Sequence, residues 1–364
     1  MSLARTSTQR MAVKLPPQRR HRLELTPLPP PVTRMQSSTP RPLVSILLIA
    51  FNQEAVIADA VRGVLAQTYE PLEILISDDA SHDKTFEIIE ATVRDYTGPH
   101  SVSINRNAQN AGISGHLSAL ATRAKGELLF VAAGDDVSAP ERCARVVDFW
   151  LAHDRRPDLI ATDLVDMDGS GQTHERLAPT ELDTYRSFDD WLAGRPHLIG
   201  AAHAWSRRLF ERFGPLLPGA AAEDQLMTFR AIVTGGALSL REPLVRYRRG
   251  GLSRKRRYRN VAEFVARAQR SNRYGLAEVT QLQQDADVAG LGARMHGYLA
   301  PQLARIRYTQ SIFEMTGTCA RVRLLLGSRE VKLGFRIRMF LYAVCPVVYA
   351  PVFWVKRVAR GGRS

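Results

Sequence analysis

The stretch LVSILLIAFNQEAVIADAVRGVL, Leu43 to Leu65, changes its hydrophobic period halfway along. Leu43–Ile49 is a continuous run rich in β-branched and aliphatic residues, the pattern of a strand buried on both faces. From Ala55 to Leu65 two interleaved sets, Val56, Ala60, Val64 and Ile57, Val61, Leu65, recur at helical spacing. Strand then helix is the reading, and it repeats along the chain. LEILIS (72–77) precedes a helical pattern over Thr85–Tyr96, SVSIN (101–105) one over Ser114–Ala124, and ELLFVAA (127–133) one over Pro140–His153. Strands separated by helices of this length need crossovers, so the fold class is α/β: a doubly wound, mostly parallel sheet with helices on both faces.

In open sheets of this kind ligands bind beyond the carboxyl ends of the strands. The four strand ends carry Phe51, Asn52 and Glu54; Asp78, Asp79 and Ser81; Asn107, Asn110 and Gly112; and Asp135 and Asp136. An acidic rim on a basic protein points to a divalent cation, which takes hard oxygen ligands and lets carboxylates share a site with a phosphorylated ligand. Each loop also has a plainer reading. SDDASHDKT is a good capped helix start, and GDDVSAP a good turn into a proline-started helix. No GxGxxG follows the first strand and no GxxxxGK[ST] occurs, which argues against dinucleotide-binding dehydrogenases and P-loop enzymes.

Hydrophobic residues make up 45% of the 364-residue chain, enough for a sizeable core. Cys143, Cys319 and Cys345 lie too far apart for a CxxC pair or zinc-ligand spacing, so neither a disulfide framework nor a zinc site is expected. The formal net charge is +14 and the pI about 10.2, a balance that attracts polyanions. The charge is clustered. Residues 1–41 hold eight Lys/Arg and one acid and read as a disordered basic, proline-rich tail without a signal peptide; RKRRYR spans Arg254–Arg259; Arg321, Arg323, Arg329, Lys332, Arg336 and Arg338 follow. They precede an uncharged run, Met339–Val355, closed by Lys356, Arg357 and Arg360. As a helix that run is about 25 Å long, short of a roughly 30 Å hydrocarbon core, and Pro346 and Pro351 interrupt it. An interface-lying or re-entrant segment, a span, and a buried C-terminal helix all remain open; the basic flanks and Tyr342, Tyr349, Phe353 and Trp354 favour a membrane boundary.

In its order of motifs the chain from Leu43 to Ser253 resembles the family 2 glycosyltransferases of GT-A fold. VSILLIAFNQE is similar to that family's first strand and Tyr-Asn-x-Glu turn, with Phe51 at the tyrosine. LEILISDDASHDKT is similar to its Asp-Asp-Gly-Ser-x-Asp-x-Thr loop, with Ala80 at the glycine. NAQNAGISG and AKGELLFVAAGDD resemble the Asn-x-Gly segment and the strand leading to Asp-x-Asp. The resemblance implies a nucleotide-sugar donor, with UDP the expected nucleotide. Phe51, Asn52 and Glu54 would shape the base side, Asp78 or Asp79 would bind base and ribose, and Asn110 and Gly112 would lie on the donor face. Asp135 would ligate Mg²⁺ or Mn²⁺ at the diphosphate, and Asp136 would support it. GAAAEDQLMTFRAI matches the family's Glu-Asp motif, which implies Asp224, or else Glu223, as general base for an inverting transfer; an acid pair favoured by a helix N-terminus is the plainer reading. HLIGAAHAWSRRLFERFG resembles an acceptor-side segment, implying His203, Trp205 and Arg207 as contacts, His203 being equally readable as structural.

The chain also departs from the pattern. Ala133 replaces the first acid of Asp-x-Asp, YRRGGLS lacks the family's histidine and offers Arg248 or Arg249 to the diphosphate, and His116, Leu117 and Ser118 stand where Ala-Arg-Asn is common. The organisation expected is a tail (1–41), a GT-A domain (42–253), a basic helical extension (254–338) and a membrane-associated C-terminus (339–364). The transferase is expected at the cytoplasmic face of the membrane, peripheral or monotopic, acting on a glycan or polyprenyl-diphosphate-linked acceptor in cell-surface polysaccharide biosynthesis. A nucleic-acid-binding module, suggested by the charge, leaves the acidic strand ends unexplained, so no nucleic-acid partner is expected. A catalytically inactive scaffold is permitted by Ala133 and opposed by Asp135 and the Glu-Asp pair.

Overall fold

The computed structural model describes residues 40–248, 261–345 and 347. Four strands, β1 (Val44–Ala50), β2 (Leu72–Asp78), β3 (Ser101–Arg106) and β4 (Leu128–Ala133), alternate with α1 (Ile57–Leu65), α2 (Thr85–Val93) and α3 (Gly112–Arg123). They are followed by β5 (Val137–Ser138), α4 (Arg142–Ala152), β6 (Leu159–Met167), β7 (Thr173–Leu177), α5 (Phe188–Ala193), β8 (His203–Ser206), α6 (Arg207–Phe213), α7 (Glu223–Ile232) and β9 (Ala237–Arg248). Four helices close the described chain: α8 (Val261–Val288), α9 (Gly292–Glu314), α10 (Thr318–Gly327) and α11 (Leu333–Val344).

The nine strands form one sheet in the order β3-β2-β1-β4-β8-β6-β9-β5, with β7 on β6. β1 lies at the parallel centre, Leu47 facing Leu75 on β2 and Val131 on β4. β8 runs antiparallel to both β4 and β6, so β6 returns to the direction of β4, and β9 runs parallel to β6. The sheet is therefore mixed, and its parallel strands point their carboxyl ends at one edge.

Successive β1 residues feed opposite faces, as the pleat requires. Ile46 and Leu48 pack with Phe130 and the inner faces of α1 and α4. Leu47 packs with Val131, Leu117, Phe229 and Trp205 on the other side. That second core also contains Val279, Leu282 and Ala286 of α8 and Met295, Leu299 and Ile306 of α9. Accordingly α8 and α9 share one core with the sheet, and the expected boundary at 253/254 does not separate a helical extension from it. The seam is fastened by a buried ion pair: Arg230 on α7 donates through Nε to Asp285 Oδ2 at 2.8 Å and through Nη2 to Oδ1 at 2.9 Å.

Gly126, just before β4, is required by close approach. A Cβ there would meet Ser45 Oγ at 2.5 Å and the Val44 carbonyl carbon at 2.5 Å. Among the described residues no helix is long and apolar enough to cross a membrane. The expected C-terminal apolar segment is only partly covered, by α11 up to Val344; residues 348–355 of it, the basic tail 1–39, Arg249 and RKRRYR lie outside the described residues.

Candidate active site at the carboxyl edge of the sheet

The turn after β1 and the loop after β2 are knitted together by five hydrogen bonds. Asn52 N donates to Ser81 Oγ (2.8 Å), Gln53 N to Thr85 Oγ1 (2.7 Å) and Glu54 N to Asp83 Oδ2 (3.1 Å). In return His82 N donates to Asn52 Oδ1 (2.9 Å) and Lys84 N to Glu54 Oε2 (3.0 Å). Both turns use left-handed backbone, with φ of 52° at Asn52 and 60° at Ala80. Asparagine tolerates that region; alanine is strained in it. What the knot leaves in solvent is the ring of Phe51, 42% exposed, set edge-on to His82 with centroids 6.4 Å apart.

Asp78 and Asp79 are buried beneath that rim. Asp78 accepts from Ser81 N (3.0 Å) and Ser81 Oγ and pairs with Arg106 at 3.4 Å. Asp79 Oδ1 accepts from Asn107 Nδ2 and Ala111 N, both at 2.8 Å, and Oδ2 from Gly112 N at 2.9 Å, while Asn110 Nδ2 reaches the Asp79 carbonyl at 3.1 Å. Asp79, Asn110 and Gly112, expected as donor contacts, thus satisfy one another and pin the start of α3, where Gly112 needs its φ of 70°. Below them His116, 2% exposed, is held towards its neutral form by burial.

The turn after β4 is built around Asp135 and Asp136. Burial raises the Asp135 carboxyl above its usual range, and burial together with the charge of Asp135 pushes Asp136 up to about 8. Arg248 holds this turn in place. Its N–H donates to Asp136 Oδ1 (2.8 Å), Nε to the Asp135 carbonyl (3.0 Å), Nη1 to the Asp168 carbonyl (3.4 Å) and Nη2 to Asp59 Oδ2 (3.3 Å). The expectation that Arg248 faces a diphosphate is therefore corrected: its guanidinium is engaged by protein oxygens from β4, β6 and α1. Asp59 and Gln53, which hydrogen-bonds Asp135, were not legible as site residues, since one is an ordinary first-turn acid and the other a turn amide.

Glu223 and Asp224 open α7 beside Gly200, where a Cβ would meet Glu223 Oε1 at 2.9 Å and Asp224 Cβ at 3.3 Å. Ser114 Oγ donates to the Ala220 carbonyl and Leu216 N to Ser118 Oγ (2.9 Å), so this segment rests on the start of α3 and shares its edge of the sheet. Burial, followed by the charge of Asp224, pushes Glu223 up to about 8; burial also raises Asp224, whose Oδ1 accepts from Gln225 N at 2.7 Å.

The expected acceptor contacts are not brought to this edge. His203 and Trp205 are 1% and 2% exposed within β8. Burial, with the neighbouring Arg142 charge, lowers His203 to about 3. Arg207 donates through Nε to the Gly126 carbonyl (3.0 Å) and also to the Ala124 carbonyl, at the amino edge of β4. All three are structural. The described residues contain no cluster of three or more His, Cys, Asp or Glu side chains that could hold a metal. A single hard carboxylate, Asp135, beside a phosphate-bearing ligand nevertheless fits the way Mg²⁺ is commonly held, with most of its ligands supplied by water and phosphate.

The Glycosyl transferase family 2 model matches residues 45–214, which contain both knotted loops and the β4 turn. Residues 45–214 therefore carry a domain that matches the family 2 glycosyltransferases. Among its curated relatives, Putative glycosyltransferase EpsE of Bacillus subtilis is 27% identical over 38% of this chain and 49% of its own length, so the match spans about half of that relative. Putative teichuronic acid biosynthesis glycosyltransferase TuaG of Bacillus subtilis is 25% identical over 57% of this chain and 79% of its own. Succinoglycan biosynthesis protein ExoO of Rhizobium meliloti is 26% identical over 72% of this chain and 78% of its own.

Proposed function

We propose that this family 2 glycosyltransferase moves a sugar from a nucleoside diphosphate donor, UDP-linked, to a hydroxyl of a glycan or polyprenyl-diphosphate-linked acceptor, with inversion, in polysaccharide assembly at the cytoplasmic face of the membrane. The observation that carries the reading is the convergence on one sheet edge of the β1–β2 loop knot, the turn of half-buried Asp135 and buried Asp136, and the Glu223–Asp224 pair. The teichuronic acid and succinoglycan pathways in the names of two relatives support a polysaccharide product.

Phe51 offers a face or edge to the base, Asn52 lines the same rim, and Asp78 and Asp79 hold the two loops on which that rim depends. Asp135 is the residue to hold Mg²⁺ or Mn²⁺, whose chemistry when bound is to stabilise the negative charge gathered by a diphosphate leaving group. Asp136 and Arg248 fix the turn that presents Asp135. Asp224 accepts the proton of the attacking acceptor hydroxyl, and its burial strengthens it as a base. Glu223 is the second choice for that role.

Donor turnover by the full chain across a panel of nucleotide sugars, with and without Mn²⁺, tests the reading. Turnover with one donor, lost in Asp135→Asn and reduced roughly 10²–10⁴-fold in kcat in Asp224→Asn with little change in donor KM, is expected. No turnover and no nucleotide-induced thermal shift with any donor refutes it.

A further inference from the structure

Helices α10 and α11 leave large apolar side chains in water. On α11, Leu333 is 56%, Ile337 42% and Val344 36% exposed. Their spacings of four and seven residues put them on one helical face. The other face is occupied: Met339 packs with Tyr308 and Ile312 of α9. On α10, Val322 (37%) and Leu326 (68%) lie one turn apart, and Val347 beyond α11 is 72% exposed.

The charge beside these residues has one sign. Arg321 and Arg336 turn inward and donate to backbone carbonyls, Arg321 to Met315 (2.7 Å) and Arg336 to Leu326 (3.4 Å). Arg323, Arg329, Lys332 and Arg338 are exposed. Glu330 is the single acid in residues 317–347, and residues 348–364 add Lys356, Arg357, Arg360 and Arg363 with no acid. At ~1.5 Å per residue α11 is about 18 Å long, too short to cross a roughly 30 Å hydrocarbon layer.

We propose that the outer surface of α10 and α11 docks on an anionic lipid bilayer, with Leu333, Ile337, Val344, Val322 and Leu326 entering the headgroup boundary and Arg323, Arg329, Lys332 and Arg338 facing lipid phosphates. Apolar residues flanked by cations suit that interface. A second copy of this face would set like charges against each other, and nucleic-acid binding would call for stacking aromatics where aliphatic side chains stand. The inference rests on the proposed function only in naming where a lipid-linked acceptor is met.

Flotation of the full chain with vesicles of phosphatidylglycerol and phosphatidylcholine, against phosphatidylcholine alone, tests it. Binding to the anionic vesicles is expected, falling roughly tenfold or more on neutral vesicles and in both Leu333→Glu/Ile337→Glu and Lys332→Glu/Arg338→Glu, with melting temperature and donor turnover in vesicle-free buffer unchanged. The proposal is overturned if the wild type fails to float. It also falls if both double variants float like the wild type, which would assign the attraction to the basic chain ends, or if sedimentation shows a dimer that Leu333→Glu/Ile337→Glu dissolves. Donor turnover without vesicle binding sinks this inference alone, and vesicle binding without turnover for any donor sinks the transferase reading alone.

Discussion

Replacing Asp285 by alanine should destabilise the protein far more than the loss of one carboxylate suggests. The pair it forms with Arg230 is dry, the two side chains being 0% and 2% exposed. Burial lifts the Asp285 carboxyl above its usual range despite the adjacent guanidinium, so desolvation outweighs the attraction and the intact pair adds little net stability. Half of the pair is a different matter. Without Asp285, Arg230 keeps its Nη1 bonds to the Gly214 carbonyl (2.8 Å) and the Met227 sulfur (3.6 Å) and the face of Phe213, 5.2 Å from its guanidinium, none of them an opposite charge, while Gln281 loses the acceptor of its 2.8 Å bond. An uncompensated buried charge of this kind costs about 3–5 kcal/mol. At roughly 2 °C per kcal/mol for a unit of this size, the melting temperature should fall by about 6–10 °C. Thermal and urea unfolding of Asp285→Ala, Arg230→Met and the double variant Arg230→Met/Asp285→Leu measure it. The double variant should recover most of the loss. A loss below about 1 kcal/mol in Asp285→Ala, or a double variant as unstable as the single one, would refute the reasoning.

Glu223 holds its proton in the folded chain up to about pH 8, whereas the unfolded chain releases it near the ordinary value of 4.5. Stability should therefore decline as pH rises between those values, and Glu223→Gln should flatten that slope in a series of melting curves. The acidic limb of the kcat–pH profile should lie above the usual carboxylate range, because Asp224 must ionise to act as base and burial resists it; a limb near pH 4 would count against Asp224. Ala80→Gly should stabilise the protein by up to about 1 kcal/mol in urea unfolding, since glycine adopts a φ of 60° without strain. Gly126→Ala should cost about 2 kcal/mol or more, because the atoms its Cβ meets are largely the backbone of β1.

The parallel half of the sheet was legible because β1, β2 and β4 are unbroken apolar runs and each helix between them keeps one apolar face. Even β3, an exposed edge strand, showed itself through Val102 and Ile104. The antiparallel half was not. β8 is four buried residues, His-Ala-Trp-Ser, whose polar and aromatic types look like ligand contacts until their burial is known. Periodicity also shows which face of a helix is apolar without showing what it meets, so α8 read as an extension while Val279, Leu282 and Ala286 complete the main core. At the site, Asp78 and Asp79 were found by position, but the residue types that bind ligands are those that cap helices and close turns. Only the bonds from Ser81, Asn107, Ala111 and Gly112 distinguish these uses. The engagement of Arg248 with three separate segments, the turn after β4, the turn after β6 and α1, left no trace in local sequence.

The reversal of β8 has an evolutionary consequence. It divides the working edge into two contributions: residues 51–136 supply the knotted loops and the Asp135 turn, and residues 200–248 supply the Glu-Asp pair and the Arg248 clamp. β8 joins β4 and β6 through only three registered pairs on each side. The second contribution can thus be remodelled without disturbing the first, which is tied within itself by the β1–β2 knot. Under the proposed function, exchange of segments at the β8 seam is the natural place to look for altered acceptor choice with the donor side kept.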